Sequence, residues 1–183
     1  MSPILPKIDA AALVVIDVQE RFMPAMPAQD TQRMLRQCRT LIEAFDHFGG
    51  QVFYSEHYPK GLGATVDSLL ELLEPKHQRV EKIHFSLAAS PAMEDHALPR
   101  DVVLCGIEAH VCVLLTARDL VAAGHQVWIP FDAVASRKPD YRDNGLELAR
   151  AAGATIINTE SLVFSALNKA GTADFKKFSK LIR

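Results

Sequence analysis

Cys112 lies in Val102-Val103-Leu104-Cys105-Gly106-Ile107-Glu108-Ala109-His110-Val111-Cys112-Val113, where an apolar, strand-like run hands over to a helical pattern. A thiol at a helix start is a well-placed soft nucleophile, because the free backbone N–H groups and the helix dipole favour thiolate over thiol. A carboxylate, Asp17, follows the apolar run 11–16, and an ammonium, Lys82, closes the short run 79–82. These three side chains suit nucleophilic acyl transfer. Cys112 attacks an acyl carbon; free cysteine titrates near about 8.5, so it needs help at neutral pH, which the helix start and Lys82 are expected to supply. Asp17 takes the thiol proton and later hands it to a leaving amine. Backbone N–H groups of the 106–112 turn would hold the oxyanion, a contribution of about 3 kcal/mol per donor.

The elements that must position these groups are read from hydrophobic periodicity. The continuous apolar run 11–16 predicts a strand buried on both faces, and the short segments 51–55, 79–82, 101–105, 126–131 and 154–157 predict five more strands. Between them, apolar residues recur at helical spacing. Met34, Leu35, Cys38, Leu41, Ile42 and Phe45 form one stripe in a helix over 30–48, stopped by Gly49-Gly50. Further helices are predicted over 65–73, 91–98, 110–123, 139–152 and 161–169, with a basic surface helix over 172–183. Strands alternating with helices imply right-handed βαβ units. The expected fold is α/β: a three-layer α/β/α sandwich with a six-stranded parallel, Rossmann-like sheet, in one domain spanning 1–183. Such sheets bind ligands beyond the carboxyl ends of their strands, where the strand order reverses. Asp17, Lys82 and Cys112 all lie just past strand ends.

The bulk numbers exclude several classes. The 183 residues are 49% hydrophobic and 23% charged, with net charge -2, so there is no basic footprint for nucleic acid or anionic lipid. Three cysteines form no disulfide framework, and the start of the chain lacks the pattern of a signal peptide. No apolar run approaches the length of a membrane span. A cytoplasmic protein acting on a small molecule is expected, without nucleic-acid or membrane partners.

Leu13-Val14-Val15-Ile16-Asp17-Val18-Gln19 with Phe22, Lys82-Ile83-His84-Phe85-Ser86, and Gly106 to Val113 together resemble the three motifs of the isochorismatase-like cysteine hydrolases, in the same order. The resemblance covers nearly the whole chain. It implies a Rossmann-like sheet, an Asp17–Lys82–Cys112 triad and a cis peptide between Ile107 and Glu108. It also implies oxyanion donors at the N–H groups of Glu108 and Cys112, and a homo-oligomer, for which Phe164 and Leu167 offer apolar surface. Nicotinamidases of this family carry an Asp-x-His metal motif after the second strand; here Glu56 and Tyr58 occupy those places. A phenol is a poor ligand beside imidazole, so no metal and no other cofactor is expected. True isochorismatases cleave a vinyl ether without a thiol, whereas Cys112 favours amide-type C–N hydrolysis through a thioester. The stretch Glu56 to Gly63, with Ser136-Arg137, is most similar to the isochorismatase-domain-containing subgroup.

Plainer roles compete with these. Cys38 and Cys105 sit in apolar patterns and read as core. Phe22, His57, Tyr58 and Phe85 read as the walls of a substrate pocket, or as cover for the sheet edge. His84 and His110 lie near the predicted crevice and read as polar loop residues. Asp132 reads as a partner for backbone donors. Two other functions stand beside the amidase: a catalytically silent binding or scaffold protein of the same fold, and a metal hydrolase using Glu56 with nearby histidines.

Overall fold

The structure, a computed structural model, describes residues 5–182. Its centre is β1 (Ala11–Ile16), whose six residues are all buried. Alternate side chains of β1 enter different layers, which is why the run is apolar without a break. Ala11, Leu13 and Val15 pack with Met34, Cys38, Leu41 and Phe45 of α1 (Ala28–Phe48). Ala12, Val14 and Ile16 face the opposite layer, with Val113, Ala117 and Leu120 around α4 (Leu114–Ala122) and Leu146 and Ala149 of α5 (Pro139–Ala151). Gly49, at φ +82°, closes α1 in the left-handed conformation that glycine adopts without a Cβ penalty.

The other strands are β2 (Gln51–His57), β3 (Gln78–Lys82), β4 (Asp101–Ile107), β5 (Gln126–Pro130), β6 (Val134–Ala135) and β7 (Thr155–Ile157). The main path of the sheet runs β3-β2-β1-β4-β5-β7, and every pairing is parallel. The order reverses between β1 and β4, so the crevice opens where Asp17 and the 108–112 turn leave the sheet. Six strands form that path. The seventh, β6, is a two-residue pairing with Gly106 and Ile107 of β4, too short to leave a hydrophobic period in the sequence.

Helices α2 (Pro59–Leu62), α3 (Asp67–Leu73) and α6 (Thr159–Leu167) complete the layers with α7 (Ala173–Leu181). Two elements differ from the sequence expectation. The 91–98 helix reduces to a single turn, Pro91–Met93, because Glu94-Asp95-His96 interrupts the apolar pattern. The last helix is not a purely exposed one. Phe178 is fully buried and stacks on Phe48 at 5.5 Å, while Lys176, Lys177 and Lys180 face outward. Leu167 is likewise buried rather than presented on the surface. Among the described residues no helix is long and apolar enough to cross a membrane.

Candidate active site

β1 ends at Ile16, and Asp17 turns the chain at φ +49°, a conformation uncommon outside glycine. Two contacts from β2 hold this turn. The Asp17 N–H donates to the Ser55 carbonyl at 3.1 Å, and the Ser55 hydroxyl donates to Asp17 Oδ1 at 2.6 Å. Asp17 Oδ2 accepts from Lys82 Nζ, also at 2.6 Å. Lys82 stands on β3, two strands away, so its side chain crosses over β2 to reach the carboxylate. Its other protons go to the carbonyls of His84 (3.2 Å) and Phe85 (3.3 Å). The two charged side chains are fully buried. A pair removed from water in this way survives only because every donor and acceptor finds a partner.

Cys112 is the third member. β4 carries it there, ending in Gly106 at φ +107° and a cis Ile107–Glu108 peptide. A Cβ on Gly106 would fall 2.2 Å from the Ile16 carbonyl oxygen, so only glycine lets β4 lie this close to the end of β1. The following residues, Ala109–Val113, wind as one π-helical turn before α4 begins, and Cys112 lies inside it. π-turns of this kind are frequent at functional sites. Behind the turn, Gly145 of α5 sits against His110 and Ala109.

The thiol is buried close to the Asp17 carboxylate, and its pKa is pushed up to about 12. Burial is the largest cause and the Asp17 charge the next; Lys82 acts in the opposite direction but is outweighed. This corrects the expectation that the helix start and Lys82 bring the thiol down toward neutral pH. Lys82 does favour the anion, yet the apolar surroundings and the adjacent carboxylate keep the proton on sulfur at rest.

Around the three lie further groups. Glu108 is buried and receives the Arg137 backbone N–H at 3.0 Å, with the Arg137 guanidinium at 3.4 Å. His110 meets Ser136 Oγ at 3.0 Å and the Tyr141 ring at 5.0 Å. Gln19, wholly buried, clamps the strand ends: its Oε1 accepts the His57 N–H (2.8 Å), and its amide donates to the carbonyls of His57 (3.1 Å) and Gly63 (2.7 Å). The His57 ring stacks on Phe85 at 5.3 Å. Burial, followed by the Lys82 charge, pushes the His57 pKa down, so its imidazole is neutral at pH 7. Phe22 packs half-buried against the core. Tyr58 is 55% exposed and borders, with Ile83 and Pro91, an open cleft of about 450 Å3 along β3. Of the four aromatic and histidine wall candidates, His57 and Phe85 adjoin the Lys82 side of the site, Tyr58 opens onto the sheet edge and Phe22 belongs to the core margin.

A metal does not fit the 56–58 stretch. Glu56 Oε1 accepts both the N–H (2.7 Å) and the hydroxyl (3.0 Å) of Thr65, and Oε2 faces Arg79 at 3.6 Å. Among the described residues no three of His, Cys, Asp and Glu are grouped to hold an ion. The carboxylate instead fastens the 58–65 loop. Cys38 and Cys105 are buried in the core, where Cys38 Sγ lies 3.6 Å from Met34 Sδ. Asp132 accepts from both the N–H and the hydroxyl of Thr159 at 2.9 Å.

Sequence reasoning missed Ser55 as a partner of Asp17, and it missed Gly106 and Gly145 as spacers. Ser55 follows three buried aromatic and aliphatic residues of β2; its closeness to Asp17 follows from the pairing of Ile16 with Ser55, which the linear sequence does not display.

A doubly wound parallel sheet with a carboxylate, an ammonium and a thiol at its switch point defines an α/β domain with a candidate hydrolytic site. The isochorismatase domain matches residues 11–161. A secreted isochorismatase effector, Isc1, from Phytophthora sojae is 36% identical over 181 residues, covering 95% of this chain and 85% of that protein. Isochorismatase domain-containing protein 2 of Danio rerio is 32% identical, covering 94% and 86%. Among solved structures, a Caenorhabditis elegans protein described as MAR1 ribonuclease superposes with TM-score 0.88 at 34% identity, covering 97% of this chain and 92% of that one. The chain belongs to the isochorismatase family, whose members are generally cysteine hydrolases.

Proposed function

We propose that this protein is a metal-independent cysteine hydrolase that cleaves the C–N bond of a small amide through a thioester. The observation that carries the reading is the convergence of Lys82 and the Cys112 thiol on one buried carboxylate. As Sγ of Cys112 bonds to the acyl carbon, its proton passes to Asp17. The carboxylate charge that opposed the thiolate disappears in the same step, and the positive charge of Lys82 remains to favour the developing anion. The carbonyl oxygen becomes an oxyanion, for which the N–H groups of Glu108 and Cys112 are the assigned donors. The C–N bond then breaks, and the proton on Asp17 goes to the departing amine. Water attacks the thioester while Asp17 takes its proton, which returns to sulfur as the acid leaves. Lys82 offsets the one negative charge whether it rests on Asp17 or on the reacting sulfur and oxygen, so the cycle runs without leaving an unpaired charge in an apolar site.

The small-molecule assignment rests on the net charge of -2 and on a recessed sulfur, both poorly suited to a polyanion. The three cysteines are free thiols, in keeping with a cytoplasmic setting. A homo-oligomer belongs to the same reading: Tyr58, Ile83 and Phe85 are large apolar side chains left exposed along one rim, and sedimentation at several concentrations tests it. A concentration-independent monomer refutes that part.

The direct test is alkylation by iodoacetamide with peptide mapping, followed by a panel of small amides and an RNA oligonucleotide. Cys112 should be modified ahead of Cys38 and Cys105, and amide turnover should vanish in Cys112→Ala. Turnover that persists in that variant, or an inert Cys112 with no turnover of any amide, overturns the proposal. The second outcome leaves a binding protein of the same fold; cleavage of the RNA alone points to a different substrate class.

A further inference from the structure

We propose that Ser55, which lies outside the three-residue constellation, is a positioning residue for the acid/base carboxylate: its hydroxyl fixes the rotation of Asp17 and favours its charged form until the thiol proton arrives. The inference rests on the hydrolase reading above and concerns how its proton acceptor is kept ready.

Ser55 is 1% exposed and follows the buried Val52, Phe53 and Tyr54 of the same strand. Packing alone at this position is satisfied by alanine or valine. A buried hydroxyl needs a partner, and here it has one, Asp17 Oδ1 at 2.6 Å. That is the short end of the range for O–H to oxygen, as expected when the acceptor is charged. The Ser55 carbonyl also receives the Asp17 N–H, so one residue holds Asp17 by backbone and by side chain in its left-handed turn. With Oδ1 bound from β2 and Oδ2 bound by Lys82 from β3, the carboxylate plane has no rotational freedom left. The Cys112 thiol meets a base of fixed orientation, which is the condition for efficient proton transfer. A serine hydroxyl also serves both protonation states, because it can donate to the carboxylate and, after rotating, accept from the carboxylic acid.

The ionisable groups facing this site are Lys82 on β3, the Cys112 thiol and Glu108 on the nucleophile turn, and His57 on β2. None of them changes in a Ser55 variant, so a change in pH dependence reports on the lost hydroxyl.

The experiment follows the rate of Cys112 carbamidomethylation against pH by mass spectrometry, which needs no known substrate. In Ser55→Ala the acid-side midpoint of the profile should move upward by about one pH unit, because the charged carboxylate has lost a donor. Ser55→Thr should restore it. Asp17→Asn provides the reference, since it should remove the limb set by the carboxylate and leave only the rise set by ionisation of the thiol itself at high pH. A limb with the wild-type midpoint that persists in Asp17→Asn refutes the Asp17–Cys112 coupling and with it the hydrolase reading. A limb that depends on Asp17 but keeps its wild-type midpoint in Ser55→Ala, or one that Thr does not restore, refutes the Ser55 role alone. Should Ser55→Ala fail to fold, Ser55→Cys keeps the volume with a weaker donor and should show an upward shift of the same sign; no shift overturns the proposal.

Discussion

Gly145→Ala sets two magnitudes of opposite sign against each other. Gly145 lies inside α5, where alanine is favoured over glycine by about 1 kcal/mol on helix propensity. Considered as an isolated helix, the variant should be more stable. In the fold, the new Cβ would lie 2.7 Å from both Cα and N of His110 and 2.9 Å from the Ala109 carbonyl carbon. Favourable contact between such atoms needs roughly 3.5–4.0 Å, so α5 and the nucleophile turn must separate by about 1 Å. The obstructing atoms are backbone, so no side-chain rotation relieves them. Overpacking of this kind costs about 1–3 kcal/mol, which leaves a net loss of roughly 0–2 kcal/mol after the helix gain. The thermal midpoint should therefore fall by a few degrees or stay near the wild type, where propensity alone predicts a rise of about 2–4 °C. Function should suffer more than stability, because displacement of a reacting group by about 1 Å can cost roughly 100-fold in rate. The assay pairs a thermal melt with the rate of Cys112 alkylation at pH 7.5. A variant that melts higher than wild type and alkylates at the wild-type rate would show that α5 does not set the position of the turn.

Three further outcomes follow from the same geometry. Lys82→Met leaves the Asp17 carboxylate buried without its cation and should cost about 3–5 kcal/mol in urea unfolding at pH 7, with much of the loss recovered in Asp17→Asn/Lys82→Met; a Lys82→Met protein as stable as wild type refutes the buried pair. The pKa of the folded Cys112 thiol is pushed up to about 12, above that of an unperturbed thiol, so the unfolded chain releases its proton first. The Cys112 contribution to stability is complete below about pH 9 and is lost as pH rises toward 12; the urea midpoint of wild type should fall more steeply over that window than that of Cys112→Ala, and parallel curves would contradict the shift. Gln19→Leu keeps the volume but strands the His57 N–H and two carbonyls, which should cost at least about 2 kcal/mol and expose the His57 amide to hydrogen exchange; unchanged protection of that amide refutes the clamp.

Legibility in the sequence differed between parts of the molecule for physical reasons. The six principal strands and the long helix α1 were visible because burial on two faces, or on one stripe, leaves a local period in residue type. Asp17 stood out by the same logic, since it follows an unbroken apolar run, whereas Lys82 ends a short and mostly polar strand. The 91–98 segment was read too generously as helix, because proline and one or two apolar residues mimic a helix start without supplying a stripe. The last helix was read as exposed because its basic residues dominate, while the burial of Phe178 depends on Phe48, far away in the chain. Partners such as Ser55 and Glu56 were out of reach, because a polar residue in a strand reveals that it needs a partner but not which one. Glu56 stands at the place of a nicotinamidase metal ligand, and its binding to Thr65 and Arg79 could not be read from that place.

By itself the chain determined its alternation of strands and helices, and therefore a parallel sheet with a crevice at the strand ends, because those follow from local periodicity and the handedness of connections. The tertiary structure decided that Lys82 crosses β2 to reach Asp17, that Ser55 fixes the same carboxylate, and that the sulfur keeps its proton at rest. Those outcomes are sums of burial and charge over groups distant in sequence. They exist only once packing has set the distances, and no reading of residue order contains them.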